Sequence, residues 1–532
     1  MSSSRLRAIT ISNFKSIYVE TRVEFGALTA FVGKNNSGKS TINQVLLLLK
    51  QTLELARVES PLHLDGYVSA INLRELISGW PSPSEDRIEG PKFSLEWSSV
   101  VDVAAALEVS GKPDISTLME RASLPWLASV KEEAIELYTR MDLEYSDLKG
   151  KVVLDRVRLR SSLTPDFQAE NPLNANVLIE RDRDGRYECR WGGQVRKQLE
   201  VAFHHFIPSL SINRRNVGPR DTQRSLANAY NVLFAQPLDG LEAILKGFSF
   251  LSSTRGLPPL FYPPASTDVD HLGVSGEFAA QLLYAHQSEP VHYLLPDFDD
   301  INKPLTFREQ SLSIAINEVL SGLGIDTPLS IHEIETVGFR LLFGSATLFH
   351  VGRGLTYLLP IVQLGLFSDP RRFQTVEADA DADIYANADV RLCAFEEPES
   401  HLHPKVQSRL ANWLVALAQA HRQVIVETHS DHLVRRLRAL MAQSSPGSAI
   451  ETWLSENVRI ISVNQQDGKT SIESSGIGRD GAMEIWPPDF MDVAVQAEQA
   501  IYYAALDKEE VAPGKVVIDV IHEDEDEPDA GR

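Results

Sequence analysis

Eight consecutive residues constrain this chain more than any other feature. Gly33-Lys34-Asn35-Asn36-Ser37-Gly38-Lys39-Ser40 fits the pattern G-x-x-x-x-G-K-[ST]. An apolar run, residues 28–32, precedes it, and a helical pattern, residues 41–50, follows. That strand–loop–helix order is what a phosphate-binding loop requires. Glycines let main-chain N–H groups approach a polyphosphate closely. The helix N-terminus adds partial positive charge. The expected nucleotide-binding residues are Gly33, Asn35, Asn36, Ser37, Gly38, Lys39, Ser40 and Thr41. Lys39 supplies a point charge for the β- and γ-phosphates, and Ser40 a hydroxyl for Mg²⁺. The fold class this implies is α/β, a P-loop NTPase core.

A chain of 532 residues is long enough for a large core and two or more lobes. No run of about 20 uncharged apolar residues predicts a membrane span. Residues 1–7 lack an apolar signal core and lead into a strand. The two cysteines, Cys189 and Cys393, stand far apart and support neither a disulfide framework nor a zinc site. A reducing cytoplasm is the expected compartment. The net charge of −22 argues against a broadly basic nucleic-acid coat. Local arginine clusters remain, Arg214, Arg215, Arg220 and Arg224, and Arg435, Arg436 and Arg438. Residues 523–529 form an acidic run that repels itself and is expected to be a disordered tail.

The pattern along the chain predicts seven segments. Residues 1–100 form the first part of the phosphate-loop domain. Residues 101–150, with Leu137, Met141 and Leu148 recurring among charges, read as a short helical arm. Residues 151–198 return to strands in an antiparallel β subdomain, with a hairpin around Asp184-Gly185. Residues 199–329 read as a mainly helical insertion. Residues 330–450 hold three short strands and the second half of the nucleotide site. Residues 451–510 add a hairpin around Asp467-Gly468 and a helix, and 511–532 the acidic tail. Residues 377–389, acidic and alanine-rich, read as a surface loop.

That second half begins with an apolar strand ending in two carboxylates, Val390-Arg391-Leu392-Cys393-Ala394-Phe395-Glu396-Glu397. Beside a phosphate loop, Glu396 would hold Mg²⁺, and Glu397 would orient or deprotonate the attacking water. About thirty residues on, Gln423-Val424-Ile425-Val426-Glu427-Thr428-His429-Ser430 repeats the strand-then-polar pattern. A histidine there lies where open α/β sheets bind ligands, and His429 is placed to meet the γ-phosphate or the water.

These residues carry a resemblance to the ABC-type ATPase heads of the RecF, SMC and OLD group. Glu396-Glu397-Pro398-Glu399-Ser400-His401-Leu402-His403-Pro404 is similar to that group's E-E-P-E-x-x-L-H-P segment, and Glu427-Thr428-His429-Ser430 to its E-T-H-S switch. Trp486-Pro487-Pro488-Asp489-Phe490 resembles a W-P-x-x-F element of one bacterial branch, to which the Septu defence ATPase PtuA is comparable. The resemblance implies ATP and Mg²⁺ as ligands, head-to-head dimers or higher even oligomers, and a signature motif that reaches across the dimer. Val351-Gly352-Arg353-Gly354-Leu355-Thr356-Tyr357 is similar to that motif, so Gly352, Gly354 and Thr356 are expected to act in trans. Thr356 and Tyr357 stand where the pattern has serine and glutamine, and no glutamine fits a Q-loop. Asn13-Phe14-Lys15 looks like a turn that approaches the nucleotide.

The resemblance points to an ATPase switch for a nuclease or other effector in anti-phage defence, with DNA as a further partner and no membrane. Alternatives are a DNA-repair or structural-maintenance ATPase, a single-chain nuclease, a transporter subunit and a weakly catalytic nucleotide-binding scaffold. The segment after His429 shows no spaced carboxylates for a second metal site, which disfavours the single-chain nuclease. More than 350 residues between Lys39 and Glu396, and no L-S-G-G-Q, disfavour the transporter.

Overall fold

The computed structural model describes residues 4–55, 60–81, 85–102, 134–167, 175–196, 199–212, 229–263, 269–334, 337–373, 390–483, 497 and 499–504. The chain divides into two compact units, Met1–Pro487 and Pro488–Arg532. In the second, residues 499–504 are helical. All else below concerns the first. Among the described residues no helix is long and apolar enough to cross a membrane.

The first strands, β1 (Ser4–Ser12) and β2 (Thr21–Glu24), are antiparallel neighbours. β3 (Leu28–Val32) is buried throughout and runs through the phosphate loop into α1 (Lys39–Leu53). Ile42, Val45, Leu46 and Leu49 make one buried helical face of α1. β4 (Arg87–Asp102), β5 (Ala134–Leu148), β6 (Lys151–Ser162), β7 (Ala175–Arg181), β8 (Tyr187–Trp191) and β9 (Gln194–Val195) follow. With β1 and β2 they form one antiparallel sheet in the order β2-β1-β4-β5-β6-β7-β8-β9. The expected β subdomain thus shares its sheet with strands from the first hundred residues.

The expected helical arm is corrected within its described part. Residues 134–148 are β5, because burial alternates there: Ile135, Leu137, Met141, Leu143 and Tyr145 face inward. Leu137 and Met141 stand four apart, which satisfies a helix as well as a strand; the intervening Thr139, also buried, fits only the period of two. Residues 103–133 lie outside the described residues.

The 199–329 segment is likewise mixed rather than mainly helical. It contains the hairpins β10 (Leu199–His204) with β11 (Ile207–Ile212), and β13 (Pro290–Leu295) with β14 (Thr306–Ser311). Between and after them come α2 (Gln236–Lys246), β12 (Ser249–Leu251), α3 (Ala279–His286) and α4 (Leu312–Leu323). The three expected short strands are present as β15 (Leu329–Ile334), β16 (Gly338–Phe343) and β17 (Ala346–Thr347).

The C-terminal half supplies α5 (Arg353–Phe367), β18 (Arg391–Glu396), α6 (Pro404–Gln419), β19 (Arg422–Thr428), α7 (Asp431–Gln443), α8 (Ala449–Asn457) and the hairpin β20 (Val458–Gln466) with β21 (Lys469–Ser475). The core sheet has the order β12-β18-β19-β3-β20-β21. Its first five strands are parallel and β21 is an antiparallel edge. The near-continuous apolar runs of β3, β18 and β19 follow from cover on both faces. Buried polar ties join the antiparallel sheet to the core sheet and to α2. Gln423 Nε2 donates to the carbonyls of Leu6 and Gly26, and Trp97 Nε1 donates to Pro237 O at the start of α2. The expected fold class holds: a mixed sheet bearing the phosphate loop, beside an antiparallel β subdomain. The 377–389 loop, the 486–490 element, the cluster from Arg214 to Arg224 and the acidic tail all lie outside the described residues.

Candidate functional site

Register places the chemistry. Glu396 pairs with Glu427 across β18 and β19, Thr428 with Val32 across β19 and β3, and Val32 with Ser462 across β3 and β20. Parallel strands deliver all of these to one edge, the carboxyl ends, where open α/β sheets bind ligands.

At that edge the chain leaves β3 through Gly33, φ 153°. A Cβ there would lie 2.2 Å from the carbonyl oxygen of Val463 on β20, so only glycine lets the two backbones approach. Gly38, φ 100°, caps α1 in a left-handed conformation, and a Cβ would lie 2.4 Å from Thr470 Oγ1. Thr470 Oγ1 holds the loop from outside, 2.9 Å from Ser37 O. Lys39 is buried, and its ammonium donates to the carbonyls of Gly33 and Lys34 at 3.0 and 2.8 Å. Burial lowers its pKa, against the opposing charges of Glu427, Glu397 and Glu399.

Three carboxylates gather beside the loop. Ser40 Oγ donates to Glu427 Oε2 at 2.7 Å, and Asn43 Nδ2 donates to the other oxygen. Glu427 is 3% exposed; burial first, then the charge of Glu396, pushes its carboxyl up to about 8. Burial also raises Glu396, against hydrogen bonds from Ser253 N–H and Ser40. Arg255 Nη2 donates to Glu396 O at 2.9 Å. Glu397 adopts φ 41°, a strained backbone for a side chain of this kind. Its N–H donates to Glu427 O, and its carboxylate accepts from Ser400 Oγ at 3.1 Å and lies 3.7 Å from His429 Nε2. The His429 backbone N–H is held by Glu399 Oε1 at 2.7 Å. Burial first, then Lys39, lowers the His429 pKa, so the imidazole is neutral near pH 7.

A cavity of about 830 Å³ collects these groups. Asn35, Asn36, Ser37, Gly38, Lys39, Ser40 and Thr41 line it with Glu396, Glu397 and His429. Gly33 shapes the loop from behind. Lys15 of the Asn13-Phe14-Lys15 turn also lines it, its ammonium 2.7 Å from Gln44 Oε1. Three contributors went unassigned in the sequence reading: Glu427, Ser253 and Arg255. Glu427 stands inside the quoted Glu-Thr-His-Ser segment, so its place at the strand end was the available signal. Ser253 and Arg255 lie about 140 residues from Glu396, and no spacing rule links them.

The signature-like residues stand apart from this cavity. Gly352 is exposed at the start of α5. Gly354 packs on the chain's own 401 backbone, where a Cβ would lie 2.7 Å from His401 O. Thr356 is buried, and Tyr357 stacks edge-on with His401 beneath the Arg255 guanidinium.

Two family profiles match parts of the chain. Residues 5–87 match an AAA ATPase domain. Residues 346–435 match an AAA domain whose description also names the AbiEii toxin and a type IV TA system. No curated protein matches the chain significantly. Solved structures overlap it at low similarity. An SmcHead bound to the C-winged helix domain of ScpA is 13% identical, covering 89% of this chain and 98% of its own, with a TM-score of 0.37. The Pyrococcus furiosus Smc head domain, bound to the C-terminal domain of ScpA, is 12% identical, covering 94% and 100%, with a TM-score of 0.35. The Thermotoga maritima SMC head domain is 12% identical, covering 88% and 98%, with a TM-score of 0.31.

Proposed function

We propose that this chain binds and hydrolyses ATP. The observation that carries the reading is the single cavity joining the phosphate loop to Glu396, Glu397, Glu427 and His429 at the carboxyl ends of parallel strands. The ATPase-domain profiles that match residues 5–87 and 346–435 support it. Lys39 and the loop N–H groups hold the β- and γ-phosphates. Glu397 is the base for the attacking water, and the neutral His429 beside it donates one hydrogen bond to the γ-phosphate. Mg²⁺ suits the donor set, because Ser40, Glu396 and Glu427 offer hard oxygen atoms. Among the described residues no group of three or more His, Cys, Asp or Glu side chains could hold a metal unaided. That accords with an ion that keeps water and phosphate ligands. Ser40 and Glu396 would hold it, and its charge would offset that of the phosphates.

In this reading two copies close on ATP, with Gly352, Gly354 and Thr356 serving the partner's nucleotide. The exposed Gly352 at a helix N-terminus supports this, since its N–H groups suit a phosphate. The closed state drives an effector, a nuclease in anti-phage defence. The toxin–antitoxin wording of the C-terminal profile accords with an effector-coupled switch. The test uses the purified full chain. It should release phosphate from ATP with Mg²⁺, accumulate as an ATP-dependent dimer in the Glu397→Gln variant, and leave duplex DNA uncut with Mg²⁺ or Mn²⁺. DNA cleavage by the chain alone that survives Lys39→Ala would overturn the separate-effector reading.

A further inference from the structure

We infer that Trp80 and Tyr18 form a stacking platform for the base of the bound nucleotide; the inference rests on the phosphate-loop reading. Both residues line the same cavity as Lys39 and Ser40. Trp80 is 75% exposed and Tyr18 42%, although both side chains are largely apolar. Among the other described tryptophans Trp97, Trp191 and Trp413 are buried and Trp453 is half-buried, so an indole this open beside a phosphate loop is an outlier among the described residues.

The backbone holds it there at a cost. Trp80 adopts φ 51° after Gly79 at φ 79°, a left-handed pair that a bulky residue adopts only under constraint. A Cβ on Gly79 would lie 3.7 Å from the Tyr18 ring, so the Tyr18 phenol packs directly on this turn. Direct contacts connect the turn to the loop. Ser16 Oγ lies against Gly38, 3.0 Å from where its Cβ would stand, and Tyr18 is two residues further on. Lys469 Nζ lies 5.5 Å above the Tyr18 ring, and Lys15 is held on α1 by Gln44.

The two ends of the cavity differ in chemistry. Glu396, Glu397 and Glu427 cluster on the Ser40 and Asn43 side, where charge develops during phosphoryl transfer. The two aromatic rings, Lys15 and a single carboxylate, Glu75, line the Ser16 side, with Lys469 over the Tyr18 ring. A cavity of about 830 Å³ is of a size that takes a whole nucleotide rather than a triphosphate alone. A flat π-system with an open face, next to cations that tolerate phosphate, fits a nucleobase.

The test compares wild type, Trp80→Ala and Trp80→Phe for binding of Mg-ATP and of inorganic tripolyphosphate by calorimetry. Trp80→Ala should weaken ATP about tenfold, as loss of one base–aromatic stack does. It should leave tripolyphosphate unchanged, and Trp80→Phe should retain most of the ATP affinity. ATP should also quench indole fluorescence in wild type and not in Trp80→Phe. Equal loss for ATP and tripolyphosphate, or no loss for either, overturns the platform. Trp80-dependent binding of a poly-dT oligonucleotide with unaltered ATP binding overturns it too, and assigns the rings to nucleic acid. If wild type binds neither ATP nor tripolyphosphate, the phosphate-loop reading itself falls.

Discussion

Replacing Glu427 with Gln separates the buried carboxyl's charge from its shape. The side chain is 3% exposed and its carboxyl is pushed up to about 8, by burial first and then by Glu396. In the unfolded chain a glutamate titrates near 4.3. Between those values the folded state holds a proton that the unfolded state has lost. Folding stability therefore falls as pH rises through this window, by up to about 1.4 kcal/mol per pH unit. Over pH 5 to 8 the wild-type chain should lose stability on this account, by at most about 4 kcal/mol. Glutamine keeps an oxygen for Asn43 and places an amide beside the Ser40 hydroxyl, so the packing survives. It carries no charge at any pH. The variant should match wild type near pH 5 and exceed it increasingly toward pH 8 in thermal melts of the nucleotide-free protein. Parallel melting profiles for the two proteins across pH 5 to 8 would refute the reasoning.

The catalytic assignments make separate demands. Glu397→Gln should cut phosphate release by about 10²- to 10⁴-fold while ATP affinity persists, measured by coupled assay and calorimetry. His429→Ala should lower turnover more than ATP binding. Because the imidazole's pKa lies below its ordinary value, the His429 contribution should be present above pH 6.5 and lost as pH falls through that depressed value. The acid limb of the wild-type pH–rate profile should therefore change in the variant. Gly33→Ala should abolish nucleotide binding with the fold retained by circular dichroism, since its Cβ meets the Val463 carbonyl at 2.2 Å.

The contiguous parts of the site were legible because their chemistry is local. Residues 33–41 need only one turn between a strand and a helix, and Glu396 and Glu397 need only one strand end. Glu427 is different: its role arises from its register opposite Glu396, which depends on β18 and β19 pairing in parallel. Ser253 and Arg255 come to Glu396 because β12 pairs beside β18, a three-residue contact too short to carry a pattern. Trp80 belongs to no motif; its strained φ and exposure exist only in three dimensions. The misread stretch, residues 134–148, shows the limit of periodicity. Spacings of four satisfy both a helix and a strand, and here the buried Thr139 and Leu143, two residues either side of Met141, settle it.

The most direct test of the nucleotide site is phosphate release from Mg-ATP by wild type and by Lys39→Ala, purified in parallel. The Lys39 ammonium is buried at the centre of the loop, so its loss leaves triphosphate oxygens without a cation. Wild type should turn over ATP and Lys39→Ala should not, with matching thermal melts for the two proteins. Equal turnover by both would contradict the account.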